Sequence, residues 1–381
     1  MEFQGCALLR YRVVASLLMG TPIKICKIRS KSDYPGLTDS EVKYLELIAK
    51  LTSGSEININ DTGTVLKFSP GIIVNNPNSV PIEFDCGKGA SLGFFIEGIL
   101  PIVIFGKNKL HLVLKGLSHT ADDIGIDVIQ YVQIPLLKKF GVEDVNIKIL
   151  CRGDEGEVVL KVTPIKNLNG VDLQDPGKIK KVRGVAFTSR LNVQMGNRAS
   201  YSAKGHLHSF LPDIWIHTDH YKFGEALLGI TLVAESNTGS FISSEYLRGE
   251  ASQFDYLESD VPEDLGSLAV IHLLDEITYG GFVDSQNQCL PLLLMALARE
   301  KSSLRLGRLS SQAVEVLRLI QFMINITFSF TESDNPKYTQ LPENEEEEEA
   351  LANEPDNSDL PKNIIATCIG LGYQNMARIA F

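Results

Sequence analysis

Strand-length apolar runs and helix-length amphipathic runs alternate along most of this 381-residue chain. That alternation restricts the fold to α/β architectures, because each kind of element exposes an apolar face that the other must bury. Helical spacing covers residues 4–19, 39–52, 92–101 and 122–140, and strand-like runs lie at 23–28, 56–60, 64–68, 110–115, 145–150 and 157–162. Thr38-Asp39-Ser40-Glu41 ahead of Val42 has the form of a helix-capping signal. A second region opens near Asp175-Pro176-Gly177. Its strands at 185–189, 213–218, 227–234 and 239–244 and its helices at 194–210 and 262–280 make a small α/β unit with enough residues for its own core. The first pattern then returns, with helices at 288–299 and 314–323 and strands at 324–330 and 363–370. The expected fold is α/β (α+β), with a large domain from 1–182 and 281–381 interrupted by a small α/β domain at 183–280.

The formal net charge is -11, and part of it is concentrated in Glu343 to Glu349, with Glu354, Asp356 and Asp359 close behind. Segment 335–361 therefore reads as a solvated, disordered-type acidic loop. An acidic chain lacks the broad basic field that generic binding to phosphate backbones needs, so RNA contact has to come from a local patch. No apolar run reaches the ~18 residues of a membrane span, and no basic-then-apolar secretory leader is visible, so no membrane association is expected. Cys6, Cys26, Cys86, Cys151, Cys289 and Cys368 are dispersed without CxxC pairing. They read as buried thiols in a reducing compartment, not as a disulfide scaffold or a zinc site.

Phe3-Gln4-Gly5-Cys6-Ala7-Leu8-Leu9-Arg10 leads into an apolar stretch, followed by Gly20-Thr21-Pro22, Arg29 and Pro35-Gly36-Leu37. This segment resembles the opening of the RNA 3'-terminal phosphate cyclase family, where Glu-x-Gly-Gly-Gly-Gln-x-x-Arg starts a helix. The strand that the family places before the motif is expected to be missing or very short here. Thr62-Gly63-Thr64, Ser69-Pro70-Gly71-Ile72-Ile73, the helix from Ser91 to Pro101, Lys115-Gly116 and Arg152-Gly153 continue the resemblance in order. Glu97 stands where the enzymes carry a glutamine. The resemblance implies a large domain of three repeated α/β units, with a small α/β domain inserted before the third.

Asp175 to Gly184, Pro212 to His220 and Val283 to Gln288 are similar to the cyclase-like branch of eukaryotic ribosome biogenesis. That resemblance implies a non-catalytic assembly factor of the small-subunit processome, located in the nucleus and nucleolus and needed for early pre-rRNA processing and small-subunit rRNA maturation. It implies binding to a large nucleolar GTPase among other processome proteins, leaves direct pre-rRNA contact open, and calls for no cofactor.

The residues agree with lost cyclase chemistry. In the family a histidine near the C-terminus attacks ATP and carries AMP, a task suited to an imidazole that is neutral near pH 7. The histidines here are His111, His119, His206, His208, His217, His220 and His272, and none follows His272. The matching segment, Leu306 to Gln312, carries Arg308, whose guanidinium stays protonated and forms no adenylate. The family's Asp-Gln pair falls on Cys289-Leu290, or on Asn287-Gln288 in a shifted register, and neither supplies the carboxylate. The glycine-rich stretch after the Arg-Gly landmark is reduced to Asp154-Glu155-Gly156. No enzyme activity is expected; the alternative is an endoribonuclease that cleaves pre-rRNA directly.

The resemblance implies that Arg10, Arg29, Lys115, Arg152 and Arg308 converge on the old cleft as an anion or phosphate site. The competing reading makes them surface residues or structural salt-bridge partners. Lys178, Lys180, Lys181 and Arg183 form the dense basic run, either a solvated strand edge or a partner or RNA contact. His217 and His220 lie three apart on a strand, which sends them to opposite faces, so no metal pair is expected. Asp122-Asp123 and Glu263-Asp264 read as acids at helix starts.

Overall fold

A computed structural model of the chain describes residues 1–76, 80–222, 224–249, 257–333 and 363–376. The acidic segment 335–361, expected to be a disordered-type loop, lies outside the described residues. The first α/β unit runs β1 (Glu2–Gln4), α1 (Leu9–Met19), β2 (Ile23–Cys26), α2 (Asp39–Leu51), β3 (Thr52–Ser53), β4 (Glu56–Ile59), β5 (Leu66–Ser69) and β6 (Ile72–Ile73). The second runs β7 (Ile82–Asp85), α3 (Leu92–Val103), β8 (Leu110–Gly116) and α4 (Ile126–Val128). It continues through a π-helical turn (Ile129–Gln133) and α5 (Ile134–Lys139) to β9 (Val145–Cys151) and β10 (Gly156–Val162). β11 (Asp172–Leu173) opens a third unit, which at once gives way to β12 (Ile179–Ser189), α6 (Val193–Leu207), β13 (Ile214–Tyr221), β14 (Leu227–Ser236), β15 (Phe241–Leu247) and α7 (Pro262–Thr278). The third unit resumes with α8 (Cys289–Leu297), β16 (Lys301–Leu306), α9 (Ser311–Ile324), β17 (Ser329–Ser333) and β18 (Asn363–Ile369).

One sheet plan recurs. In each unit a parallel pair is extended by two antiparallel strands, giving the orders β1-β2-β5-β4, β7-β8-β10-β9 and β11-β16-β18-β17. The insert also extends a parallel pair with two antiparallel strands, but in its order, β13-β12-β14-β15, the first strand of the pair is central and not the second. Its second helix, α7, follows the antiparallel strands instead of preceding them. The helices of the three units pack on one another, α1 against α3 and α9, and α8 against α3 and α9. The sequence requires this: α8 reads CLPLLLMAL and all nine of its residues are buried, and a helix apolar on every side is stable only inside a core. The insert has a separate core, in which Leu228, Ile230 and Leu232 of β14 meet Ala199, Ala203, Leu265 and Leu268 of α6 and α7. Its other sheet face touches the second unit, where Val233 packs on Val128 and Val132.

Local signals set the boundaries. Thr38 and Glu41 form a full capping box at α2, which satisfies two donors of the first turn. Pro135 has no N–H to give to a helical ladder, and the widened π turn lies directly ahead of it. The helix expected over 4–19 begins only at Leu9. Phe3 pairs in parallel with Ile25, and Gly5 and Leu8 take φ of 74° and 53°, which breaks the chain between strand and helix. The strand expected over 324–330 begins at Ser329, because α9 runs to Ile324 and Asn325 caps it at φ 60°. β12 begins at Ile179 and so straddles the boundary at 182/183 read from the sequence. β16 went unexpected: Ser302, Ser303 and Arg305 are buried along with Leu304 and Leu306, so the strand shows no apolar alternation.

Close approach is tightest where α3 crosses the 120s loop. A Cβ on Gly93 would lie 1.8 Å from the Ile124 carbonyl oxygen. Gly93→Ala should therefore cost about 1–3 kcal/mol of stability through overpacking, read as a lowered denaturation midpoint with unchanged secondary structure by circular dichroism.

Candidate functional site

The cleft at the start of α1 is built around two arginines, each held by a carboxylate. Arg10 Nη1 donates to Glu97 Oε2 at 2.9 Å and to the Phe94 carbonyl at 2.5 Å, and the guanidinium lies 4.0 Å from the Phe94 ring centroid. Tyr11 donates its hydroxyl to the other oxygen of Glu97. Burial alone would lower the Arg10 pKa, but Glu97 outweighs it and the net direction is upward. Arg29 sits at φ 43°, a strained left-handed conformation for a residue with a side chain. It is fixed there by Glu41, which receives Nη1 at 2.7 Å and Nη2 at 2.8 Å, and by a bond to the Gly36 carbonyl. Glu41 also accepts from the Thr38 N–H. One carboxylate thus caps a helix and anchors a loop.

Two cavities adjoin here, of about 200 Å³ and about 160 Å³, and both are lined by Glu41 and Phe94. The larger adds Arg29, Thr38, Ser40, Thr120, Asp122 and Asp123; the smaller adds Cys6, Leu8, Arg10, Tyr11 and Gln312. Asp123 accepts from the Ser91 N–H and the Thr120 hydroxyl. Carboxylates line this cleft at least as densely as cations, and an entering anion would meet arginines that are already compensated.

The structure brings Arg10 and Arg29 into this one cleft. Lys115 pairs with Glu83 at 2.9 Å on an exposed sheet face, Arg152 is buried against Asp127, and Arg308 is exposed at the turn before α9. None of these three lines either cavity, so the five cations do not form one cluster; four of them are salt-bridge partners. The basic run is paired as well: Lys180 and Lys181 both reach Glu235 at 2.8 Å, and Arg183 reaches Asp213 at 2.9 Å. Lys178 is exposed, and its N–H donates to Asn237. Gln288 is a buried clamp, donating to the Arg308 carbonyl and accepting from the Ser310 N–H. Cys289 faces Tyr11 and Glu97, and its thiol is pushed up to about 12, first by burial and then by Glu97.

A second ionic cluster joins the insert to the second unit. Arg152 makes two bonds to Asp127, reaches Asp219 at 3.5 Å and lies over Phe187 of β12. His119 stacks on the same ring with centroids 4.4 Å apart. Burial alone would raise the Asp127 pKa, but Arg152 and His119 hold it well below the usual carboxylate range. Glu245 of β15 accepts from the Thr231 hydroxyl and lies 3.7 Å from His119 Nε2, farther from the cations than Asp127. Burial first, and then the Asp127 charge, push its pKa up to about 8. The sequence reading missed Glu41, Asp127 and Glu245 as site residues. Only Glu41 carried a signal, as the fourth residue of the capping motif.

Residues 1–330 match the model of the RNA 3'-terminal phosphate cyclase family. The chain belongs to this family. It is similar over 100% of both chains, at 36% identity, to a probable RNA 3'-terminal phosphate cyclase-like protein of Dictyostelium discoideum. It is 37% identical to the RNA 3'-terminal phosphate cyclase-like protein of Homo sapiens, over 99% of this chain and 97% of the relative. The Schizosaccharomyces pombe relative, 35% identical over 88% of this chain and 93% of its own length, is named rRNA processing protein rcl1. These are cyclase-like members of the family. The family motif opening at Phe3 folds here as a strand, a glycine turn and the first turn of α1, and its arginine points to Glu97.

Glu97→Ala should leave Arg10 uncompensated in a mostly buried site, at a cost of about 3 kcal/mol. The paired change Arg10→Met with Glu97→Leu should recover most of that loss, as measured by denaturant unfolding. Glu245 makes a pH prediction. Its carboxyl ionises near pH 4.5 when unfolded and near 8 when folded, so the folded state binds the extra proton between those values. Stability from this group is full below about pH 4.5 and is lost as pH rises to about 8. Glu245→Gln should match the parent near pH 4 and melt at progressively higher temperature than the parent up to pH 8, with a constant gap above.

Proposed function

We propose that this chain is a non-catalytic assembly factor in small-subunit rRNA processing, which keeps the cyclase scaffold for binding. One observation carries the reading. The segment that should present the adenylylated histidine, Leu306 to Gln312, holds Arg308, and no histidine follows His272. A guanidinium that stays charged supplies no lone pair for attack on ATP. The compensated Arg10 and Arg29 support the same reading, since their carboxylates disfavour a phosphate in the cleft. The rRNA-processing name of the fission yeast relative supports the pathway and a nuclear location. In this reading the protein acts in the nucleolus, within the small-subunit processome, by docking a large GTPase. Arg10 and Arg29 serve as struts between helices and loops of the docking scaffold.

Incubation with α-labelled ATP and magnesium should leave the protein unlabelled, and gel filtration with the GTPase should give a stable binary complex. Covalent AMP on the protein would overturn the reading. A defined pre-rRNA fragment should stay intact in the presence of the purified protein; cleavage that a point substitution abolishes would favour the endoribonuclease instead.

A further inference from the structure

We propose that the β12–α6–β13 half of the insert is a docking surface for single-stranded RNA. The first observation is charge. Residues 178–222 contain eight Lys and Arg against two Asp. Glu235, Asp213 and Glu263 hold Lys180, Lys181, Arg183 and Arg198, which leaves Lys178, Arg190, Lys204 and Lys222 without an ion pair among the described residues, in a chain whose total charge is -11. Four of the seven histidines lie in the same segment. A positive region on an acidic protein is the electrostatic footprint of a local anionic partner.

The second observation is where these residues stand. α6 buries Gly196, Ala199, Ser200, Ala203 and Leu207 on the sheet, and turns Arg198, Ser202 and His206 toward Glu263 and Ser267 of α7. Helical periodicity leaves Asn197, Tyr201, Lys204 and His208 on the side away from α7. That side looks toward β13, the outermost strand of the sheet. Tyr201 is 81% exposed there, and Phe210, just beyond the helix, is 65% exposed. Lys204 has no ion-pair partner among the described residues.

On the opposite face of β13, Trp215 is 59% exposed, although its Nε1 is hydrogen-bonded to His217. Arg183 stands beside it in register on β12. Large aromatic rings left in water beside cations at an open sheet edge match what unpaired nucleotides require. Bases stack on ring faces while Lys and Arg follow the phosphates. An A-form duplex offers no unstacked bases to these rings, so the surface selects single strands. An acidic peptide would use the cations and leave the rings unexplained. The inference rests on the rRNA-processing reading and adds where the RNA lies: outside the old cyclase cleft, on the insert.

Fluorescence anisotropy of the full chain with a fluorescein-labelled 12-nucleotide RNA at 50 mM salt tests this. Micromolar binding is expected, weakening as salt rises, with a 12-base-pair duplex bound at least about tenfold more weakly. Tyr201→Ala and Trp215→Ala should each weaken binding about five- to tenfold, and Lys204→Glu should weaken it similarly. Lys148→Glu, an exposed change on the sheet of the second unit, should leave it unchanged. Circular dichroism melts establish that each variant is folded. Absence of binding at 50 mM salt, equal affinity for the duplex, or equal loss in Lys148→Glu and the insert variants would each overturn the proposal. None of these outcomes bears on adenylylation or on the GTPase complex, so the two readings fail separately.

Discussion

A guanidinium taken out of water needs a carboxylate beside it, and three such pairs tie this molecule together. Arg10 with Glu97 locks α1 to α3, across the boundary between the first two units. Arg29 with Glu41 ties the strained loop after β2 to the start of α2. Arg152 with Asp127 holds the end of β9 to α4 and faces the insert through Phe187 and Asp219. In this member of the cyclase family, these cations act as internal fasteners. The cleft that Arg10 and Arg29 line lies beside the packed helices α1, α2 and α3.

The fold was more legible than the site. The alternation of strand and helix runs is a one-dimensional trace of layers that bury each other's apolar faces, and it survives wherever a face is apolar. It failed at β16, whose buried serines and Arg305 hide the pattern, and at β11, whose two residues are too few for any period to show. Family resemblance supplied the arginines, but not their partners. Glu97 is distant in sequence from Arg10, as is Asp127 from Arg152, so no local spacing marks either pair. Glu41 was visible as a helix cap; that its other contacts clamp Arg29 depends on the path of the intervening loop. The wider convergence of cations failed for a related reason: resemblance places residues along a chain, whereas their charges settle against the nearest carboxylate.

The insert shares the parallel-plus-antiparallel composition of the host sheets, but its first strand is central and its second helix comes at the end. That change matters for its surface. With α6 and α7 side by side on one face, and the second unit against part of the other, β13 is left as a free edge flanked by exposed rings. Open edges are usually blunted, and here charged side chains along β12 and β13 limit uncontrolled pairing while leaving the aromatic faces accessible.

The placement of that insert also imposes an order of assembly. β11 is in hand early, yet its parallel partner β16 lies beyond the insert, and the Val171 N–H meets its acceptor Ser302 at a separation of 131 residues. β18, which fills the third sheet between β16 and β17, comes later still. The first two sheets close over short distances as the chain emerges, whereas the third waits for nearly all of it. Long-range closure of this kind is slow, and it leaves apolar faces waiting for cover. For much of synthesis, α1 and α3 therefore present the surface that α8 and α9 will later occupy. Until its last strand arrives, a nascent chain of this protein keeps apolar helix faces open to aggregation.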